Sequence, residues 1–498
     1  MGRFNTAVEV PKTKVKNLAG GDAYSQDPKM ELASILLTSF ANNQFYRDAN
    51  ETFDKLSGLI PQLQDKSFAA KAAVFARTEY GMRSITHVLA AELAPFAKGQ
   101  TWGKKFYDKI VYRPDDMGEI VSYYMSRHGN AKPSGKKGGS LPAAIRDGFS
   151  RAFGRFDTYS LSKYRGEGNE VKLIDLVRMV HPKPTEKNAD ALQKLVKGNL
   201  KATETWEVKL TQAGQTASNE EEKADLKKEA WGSLLKEKKL GYFALLRNLR
   251  NILQQAPELI DLACEQLVNE NAIKKSLVLP FRFVTAYNEI QMLPSTTSRK
   301  IMKAIGKAIE ISLNNIPQIP GRTLVALDMS GSMQGKPAEI GSLFAAALVK
   351  TNDCDMLMFS DDGTWVQLNT DDSLMTLQKL TMQEFMCGGT NFNLIFNMAR
   401  IAKKSYDRII ILSDMQGWMG DGYGWHGGSP VKSYNQYKEV TGADPFIYSF
   451  DLQGYGSMMF PQPKVFCLAG FSDKVFDLFK LLEEDKQALV SKIEAVIL

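Results

Sequence analysis

Apolar residues recur at helical spacing through the first two thirds of the chain. From about Pro28 to Asn315 they return every three or four positions, as in the run of Leu32, Ile35 and Leu36. This period places apolar side chains on one face of successive amphipathic helices. Alternation of Val, Ile and Thr, which would indicate strands, is scarce in this stretch. The pattern therefore predicts an almost entirely helical region of stacked helix pairs, an irregular α-solenoid without an exact sequence repeat.

The period changes after residues 316–321, where two prolines and a glycine end the helical pattern. Short apolar runs then alternate with helical segments, an order typical of a parallel sheet covered on both faces. The predicted strands are 323–328, 354–359, 408–412, 445–452 and 464–468, and the predicted helices are 337–350, 392–404, 433–441 and 472–497. We therefore predict a helical domain over residues 1–320 and a doubly wound α/β domain over residues 321–498.

Polar side chains gather at the predicted strand ends of the α/β domain. Strand 323–328 ends in D-M-S-G-S, which places Asp328, Ser330 and Ser332 on alternate residues of a tight turn. Two later loops supply Thr390, within G-G-T-N, and Asp414, just after the strand 408–412. Because the carboxyl ends of parallel strands share one edge of the sheet, these five side chains are expected to converge. Carboxylates and hydroxyls of limited total charge suit Mg²⁺, or another divalent cation, that keeps several of its waters.

The same region argues against two enzyme classes. The glycines of G-S-M-Q-G-K are one residue too close for a phosphate-binding P-loop, and Pro337 stands where that motif needs Ser or Thr. No G-x-S-x-G nucleophile motif occurs, and His426 is the one histidine after residue 320. A simple helix cap would explain D-x-S-x-S, but it would not explain Thr390 and Asp414. Metal binding is therefore the favoured interpretation of this edge.

Charge divides the chain at the same boundary. The net charge is +7, but residues 321–498 contain 15 Lys and Arg against 21 Asp and Glu, a net charge of −6. The first 320 residues therefore contain 48 basic against 35 acidic residues, a net charge of +13. A basic half joined to an acidic half indicates that the helical half binds a polyanion, with independent drift in charge as the alternative.

Two stretches of the basic half bring cations close together in the sequence. The loop 129–140 is rich in Gly, Pro and Lys, and such a loop can follow a phosphate backbone. In the stretch KYRGEGNEVKLIDLVRMVHPKP, two cations and a tyrosine precede a predicted helix, and further cations and a histidine lie near its end. Lys and Arg neutralise phosphates, and Tyr or His stack on bases, so the combination suits single-stranded nucleic acid. A solvated helix face remains the alternative for any one of these charges. The candidate RNA contacts are Lys136, Lys137, Lys163, Arg165, Arg178 and His181.

Composition narrows the class of protein further. The chain is 44% hydrophobic and 24% charged, as ordinary globular proteins are, so a disordered or disulfide-scaffold protein is excluded. Its four cysteines are far apart and flanked by apolar or small residues, which predicts buried free thiols in a reducing compartment. No signal peptide or membrane-spanning run is evident, so we expect a cytoplasmic protein that does not enter a membrane.

Four segments resemble the TROVE module of the Ro autoantigen family, in the family's order along the chain. They are GGDAYSQDPKMEL, LIDLVRMVHPKP, ATETWEV and GYFALLRNLRNIL. The D-x-S-x-S, G-G-T and strand-end aspartate resemble the metal-ion-dependent adhesion site of von Willebrand factor A domains without substitution at any ligand position. A TROVE module followed by an A domain is the Ro architecture, and the resemblance, to a bacterial- or phage-type Ro protein, covers essentially the whole chain.

This resemblance implies a fold and a set of partners. Ro proteins form a ring of HEAT-like helical repeats that the A domain closes. They bind small Y RNAs on a basic outer surface, and single-stranded 3′ ends of misfolded RNAs enter the central hole. Bacterial relatives tether polynucleotide phosphorylase through a Y RNA, and an acidic residue of a protein partner often completes the metal site of A domains. The resemblance of the surrounding segments implies that the family's basic surface corresponds here to Lys163, Arg165, Arg178 and His181.

Three hypotheses about function follow. The first is a noncatalytic RNA-binding ring that acts as a scaffold in RNA quality control or in complexes of Y-like RNA. The second is a protein-interaction module that captures an acidic partner through the metal site, with RNA incidental. The third, an RNA-processing enzyme, is the weakest, because the sequence offers two carboxylates and three hydroxyls rather than the several carboxylates of a metal-dependent nuclease. We therefore expect a protein that is not an enzyme.

Overall fold

The structure is a computed structural model of the 498-residue chain. It describes residues 14–24, 27–38, 49–128, 141–166, 168–201, 208–210, 214, 218–293, 296–384, 387–419, 430–452, 458–460, 464–469, 479, 482–483 and 488–498.

The first part of the chain is a succession of short α-helices, as its helical period predicts. Each helix buries the apolar face that the sequence pattern gives it. In the helix Leu173–Val180, for example, Leu173, Leu176 and Val177 are buried, and the helix ends at His181, whose φ of 49° is left-handed. The helices are α1 Pro28–Thr38, α2 Ala49–Leu59, α3 Ser67–Thr78, α4 Ser84–Glu92, α5 Gly103–Lys109, α6 Pro114–His128, α7 Ala143–Phe153, α8 Thr158–Lys163, α9 Leu173–Val180, α10 Ala189–Val196, α11 Glu220–Lys236, α12 Tyr242–Gln255, α13 Ile260–Leu267, α14 Glu270–Ser276, α15 Pro280–Gln291 and α16 Thr296–Ser312.

The second part of the chain is a six-stranded sheet with helices between its strands. The strands lie in the order β5-β4-β3-β6-β7-β8, and all neighbouring pairs are parallel except β4 with β5. This confirms the predicted fold class, a helical region followed by a parallel-dominated α/β sheet. The strands are β3 Thr323–Asp328, β4 Cys354–Phe359, β5 Gly363–Val366, β6 Arg408–Ser413, β7 Phe446–Asp451 and β8 Val465–Ala469, and the helices are α17 Lys336–Thr351, α18 Leu374–Gln383, α19 Asn393–Ile401, α20 Pro430–Thr441 and α21 Ala488–Glu494.

Alternate residues of each strand face two different cores. Val325 and Leu327 belong to a core that is continuous with the helical part, whereas Leu324 and Ala326 belong to a second core. Helix α17 packs on the first face, and α19 and α20 pack on the second. This two-sided burial explains why the strands are apolar at nearly every position rather than at alternate ones.

The two ends of the helical array both contact the sheet domain. In the first helix, the Ser34 hydroxyl donates to the Cys467 carbonyl on β8 at 3.0 Å. In the last helix, the Glu310 carboxylate accepts the Leu374 N–H at the start of α18, 2.7 Å away. The sheet domain therefore contacts both the beginning and the end of the helical array.

Three elements were absent from the sequence prediction. The antiparallel edge strand β5 and the helix α18 lie between predicted elements. Before the first helix, a two-stranded hairpin forms from β1 Lys14–Lys16 and β2 Asp22–Tyr24. These elements are short or exposed, so their sequences carry little periodic signal. Of the predicted helix 472–497, the described residues include α21 at its end.

The expectation about the cysteines was wrong in part. All four are free thiols, but Cys387 is exposed, and Cys264 and Cys354 are only half-buried. Cys387 lies in a loop that turns toward the sheet edge with a φ of 56°, so its small neighbours are turn residues rather than core residues. Among the described residues, no helix is both long enough and apolar enough to span a membrane.

Candidate functional sites

The five predicted metal ligands lie on loops at one edge of the sheet. Asp328 ends β3, and Asp414 follows β6, the parallel neighbour of β3. The two strand ends are joined directly, because the Ser413 hydroxyl donates to Oδ2 of Asp328 at 2.5 Å. Asp328 and Asp414 are both fully buried. The topology thus brings two carboxylates from distant parts of the sequence to one point.

The turn after β3 is fixed by its own aspartate. The Ser330 N–H donates to Oδ1 of Asp328 at 2.9 Å, and a short 3-10 turn, Gly331–Met333, follows. The hydroxyls of Ser330 and Ser332 lie 3.4 Å apart. Carboxylate and hydroxyl oxygens therefore cluster within a few residues, as the D-x-S-x-S spacing predicts.

The loop that contains Gly388 and Thr390 contacts this turn through its backbone. The Gly331 N–H donates to the Gly388 carbonyl at 3.0 Å, and Thr390 is buried. Gly388 has a steric reason to be glycine, since a Cβ there would lie 1.8 Å from Oδ1 of Asp361. The Thr390 carbonyl accepts the N–H groups of Trp418 and Met419, both at 3.3 Å, so this loop also contacts the chain that follows Asp414. All three predicted loops therefore meet.

The electrostatics of this edge favour a bound cation. Burial raises the pKa of both Asp328 and Asp414, and the charge of Asp414 adds to the shift at Asp328. Oδ2 of Asp414 is buried without a hydrogen-bond partner. Within the described ranges, neither carboxylate forms an ion pair with Lys or Arg. Buried like charges with an unused oxygen are stabilised by a cation.

The donor set fits a hard cation rather than zinc. No group of three His, Cys, Asp or Glu side chains that could hold a metal occurs in the part of the chain that the structure describes. A metal at this edge would therefore depend on two carboxylates, Asp328 and Asp414, together with the hydroxyls of Ser330, Ser332 and Thr390. Oxygen ligands of this kind match Mg²⁺, which retains waters in its shell.

The hairpin β1–β2 is a part of this edge that sequence reasoning missed. Asn17, in its turn, donates from its carboxamide to the Gly417 carbonyl at 2.7 Å. The Leu18 N–H donates to Oε1 of Gln416 at 2.8 Å, and the Gln416 N–H donates to Oδ1 of Asp414 at 3.1 Å. Gly21 allows the close approach, because a Cβ there would lie 2.0 Å from the Gly417 carbonyl oxygen. The pair Gly20-Gly21 was the one available sequence signal for it.

The predicted RNA contacts occupy different environments. Lys163, Arg178 and His181 are exposed around α8 and α9. Arg165 is half-buried, and its guanidinium donates to the Leu200 carbonyl, so it ties the α8–α9 loop to the chain after α10. Lys136 and Lys137 lie outside the described residues. Three of the six predicted cations are therefore placed on the surface.

Aromatic rings accompany the cations of this surface. The Lys163 ammonium lies 5.9 Å from the ring centre of Tyr159 and 5.4 Å from that of Tyr164. The Arg113 guanidinium lies 4.6 Å from the ring centre of Tyr164. Sequence reasoning named Tyr164 but missed Arg113 and Tyr159. Arg113 is 50 residues before Lys163 in the sequence, and the two come together because both contact the ring of Tyr164.

Family comparisons cover almost the whole of this architecture. The TROVE domain model matches residues 18–209 and 196–317, which together are more than half of the chain. The chain belongs to the TROVE family. The Ro60 vWA domain model matches residues 322–447, so this TROVE protein has the two-part Ro arrangement that the sequence resemblance indicated. The described RNA candidates lie in the first match, and all five candidate metal ligands lie in the Ro60 vWA match.

Two curated relatives and one solved structure are similar to the chain. The TROVE protein is 24% identical over 387 residues to telomerase protein component 1 of Mus musculus and 22% identical over 386 residues to that of Rattus norvegicus. Each match covers 59% of this chain but only 14% of the relative. The crystal structure of the Ro (RSR) protein of Deinococcus radiodurans superposes with a TM-score of 0.64 at 16% identity, over 95% of this chain and 100% of that chain. At this identity, the match shows a shared fold.

Proposed function

We propose that this TROVE protein is a noncatalytic RNA-binding scaffold of the Ro type. The observation that carries the proposal is the exposed group of Lys163, Arg178 and His181, two cations and an imidazole, on a TROVE domain within a helical half of net charge +13. The RNAs proposed are small structured Y-like RNAs on the outer surface. Single-stranded 3′ ends of misfolded RNAs are proposed to enter the hole of the ring. A bound Y-like RNA would tether polynucleotide phosphorylase.

Binding of this kind is driven by phosphate neutralisation. Each Lys or Arg that contacts a phosphate releases a condensed counterion, so affinity falls steeply as the salt concentration rises. Exposed lysines and arginines around short helices reach a curved RNA backbone without reading its sequence. We therefore expect weak sequence specificity together with a clear preference for a particular RNA shape.

The test is a salt titration with an RNA hairpin that has a free single-stranded 3′ tail. The logarithm of the affinity should fall linearly with the logarithm of the salt concentration, and the RNA should remain intact throughout. Lys163→Ala and Arg178→Ala should each reduce the slope by about 1, whereas Lys379→Ala, an exposed lysine on α18, should not change it. A flat plot would contradict the proposal, and cleavage of the RNA by highly purified protein would revive the enzyme hypothesis. Release of polynucleotide phosphorylase by ribonuclease would support tethering through RNA.

A second proposed function concerns the sheet edge. We propose that Asp328, Asp414 and the hydroxyls of Ser330, Ser332 and Thr390 hold Mg²⁺ or another divalent cation. The unpartnered Oδ2 of Asp414 favours this proposal. A cation here would offer an open coordination position to the carboxylate of a protein partner. Asp328 and Asp414 would position the cation, because they lie at the ends of the neighbouring parallel strands β3 and β6.

This second function is tested by separating metal, peptide and RNA binding. Wild-type protein should retain acidic peptides from a peptide library when Mg²⁺ is present and release them when EDTA is added. Asp328→Ala should abolish retention while it leaves RNA affinity unchanged. If Asp328→Ala retains the peptides, capture does not depend on the metal site and the second function fails.

A further inference from the structure

A row of alternating aromatic and cationic side chains crosses the surface between α6 and α8. We define the tyrosine–cation row as Tyr159, Lys163, Tyr164, Arg113 and Tyr112. Consecutive members are linked by the cation–ring contacts at 5.9, 5.4 and 4.6 Å, and Tyr112 is the chain neighbour of Arg113. Tyr112 and Tyr159 are 66% and 54% exposed, far more than the half-buried Tyr164 between them. Large aromatic rings held at the surface are available to a flat ligand.

The row is held rigidly from below. The buried carboxylate of Asp116 accepts the N–H groups of Tyr112, at 2.9 Å, and Arg113, at 2.8 Å. At the other end, the Asp157 side chain caps α8 by accepting the Ser160 N–H at 2.8 Å. Anchors of this kind order the backbone from which the rings project before any ligand arrives. Prior ordering lowers the entropic cost of binding.

The cations of the row differ in their availability. Arg113 is paired with Asp115, with Nε 2.9 Å from Oδ1, so its charge is partly neutralised while its guanidinium contacts the Tyr164 ring. Lys163 forms no ion pair with any residue that the structure describes. The row therefore offers one available positive charge between two exposed rings. That combination matches a nucleotide, whose base is flat and whose phosphate is anionic.

We infer that the tyrosine–cation row is a stacking subsite for unpaired bases of RNA. This inference rests on the proposed RNA-binding function and specifies which part of the RNA this surface recognises. Tyr112 and Tyr159 stack on bases, and Lys163 contacts the intervening phosphate. In an A-form duplex the base faces are stacked on one another and closed to side chains, so the row selects loops, bulges and single-stranded ends. Phosphate contacts alone would give no such preference.

The experiment compares two RNAs of equal length, a fully paired duplex and the same duplex with a central loop of unpaired adenosines. Wild-type protein should prefer the looped RNA. Tyr112→Leu and Tyr159→Leu should each lower affinity for the looped RNA roughly tenfold, with an unchanged salt slope and unchanged affinity for the duplex. Tyr159→Phe should bind as wild type does, because stacking needs the ring and not the hydroxyl. Thermal melting of each variant shows that the fold is retained.

A matched control lies elsewhere in the helical part. Phe243 is 43% exposed and has the Arg247 guanidinium 6.0 Å from its ring centre, which makes it a similar pair on α12. Phe243→Leu should leave both affinities unchanged. The inferred stacking subsite is contradicted if both leucine variants of the row bind the looped RNA as wild type does. It is also contradicted if Phe243→Leu loses as much affinity for the looped RNA as Tyr112→Leu and Tyr159→Leu do. If wild-type protein binds neither RNA, the proposed RNA-binding function itself fails.

Discussion

Two buried carboxylate sites in this protein have opposite electrostatics. Asp116, beneath the tyrosine–cation row, is surrounded by donors: Arg77 lies 3.0 Å from Oδ2, Arg83 lies 3.1 Å from Oδ1, and two backbone N–H groups also contact it. Asp328 and Asp414, at the sheet edge, lie next to each other, and no Lys or Arg pairs with them in the described ranges.

The pKa values follow this difference. Burial opposes the charge of Asp116, but hydrogen bonding and charge from His87, together with the charge of Arg77, hold the pKa of Asp116 well below its usual range. At the sheet edge burial raises the pKa of both aspartates. The comparison teaches that burial alone does not identify a function. A buried carboxylate whose charge is balanced by cations of its own chain, as at Asp116, stabilises the fold. A buried pair that is not balanced, as at Asp328 and Asp414, is a candidate site for a cation from solution.

The largest expected effect is at the balanced site. Asp116→Asn should lower the free energy of unfolding by about 3–5 kcal/mol, because it leaves the buried Arg77 without its counter-charge. Urea denaturation measures this loss. The control is Asp147→Asn, which removes an exposed partner of Arg146 at 3.3 Å and should cost less than about 1 kcal/mol. Equal losses in the two variants would show that Asp116 is not a structural anchor.

The stabilisation by Asp116 should depend on pH with a definite sign. The pKa of Asp116 is lower in the folded than in the unfolded chain, where its ordinary value is 3.8. The contribution is therefore fully present above the unfolded pKa and is lost as pH falls below about 4 toward the folded pKa. The difference in unfolding free energy between wild type and Asp116→Asn should shrink as the pH falls from about 4 toward the folded pKa of Asp116. A difference in unfolding free energy that grows as the pH falls would contradict a lowered pKa of Asp116 in the folded protein.

An intermediate effect is expected at the unbalanced site. Mg²⁺ at a hundredfold excess over its Kd should raise the free energy of unfolding by about 2.7 kcal/mol, and EDTA should remove the increase. Asp328→Asn and Asp414→Asn should lose this response, whereas Asp371→Asn, an exposed aspartate of the same domain, should keep it. Differential scanning calorimetry with and without Mg²⁺ measures it. A full response in Asp414→Asn would exclude Asp414 as a ligand.

The smallest effect is expected where the hairpin meets the sheet edge. Asn17→Ala removes the bonds to the Gly417 carbonyl and from the Gly21 N–H, at 2.7 and 2.8 Å. The loss in unfolding free energy should be about 1–2 kcal/mol, and calorimetry should show weaker Mg²⁺ binding, since the hairpin supports Gln416 beside Asp414. Asn199→Ala, at an exposed position, serves as the control. Unchanged Mg²⁺ affinity in Asn17→Ala would show that the hairpin does not support the proposed metal site.

Much of the fold could be predicted because burial leaves a periodic signal. Strands Thr323–Asp328 and Cys354–Phe359 have the predicted bounds, since both faces of each strand are covered and nearly every residue is apolar. The edge strand Gly363–Val366 was missed because it is short, half-exposed and begins with glycine. The hairpin was missed because its two strands are only three residues long and its contacts with the sheet edge lie about 400 residues away in the sequence.

The two sites differed in how far the sequence could define them. The proposed metal ligands follow from strand order, because parallel neighbours bring Asp328 and Asp414 to the same edge whatever the details of packing. The RNA surface depends on what each cation contacts. Arg165 counts as a positive charge in the sequence, yet it is committed to the Leu200 carbonyl. Arg113 joins that surface through its contact with the Tyr164 ring, a long-range contact that no sequence pattern indicates, and Tyr112 joins it as the chain neighbour of Arg113.

The contact between Asn17 and Gly417 also constrains how the protein is made. A ribosome completes the hairpin and the first helices long before it synthesises β6 and the loop that follows it. The hairpin must therefore wait for partners that are synthesised about 400 residues later, and such long-range pairing is slow and prone to aggregation. The hairpin cannot join the sheet edge before the loop after β6 has been synthesised, so a protease that cleaves near Asn17 should cut nascent chains faster than finished molecules.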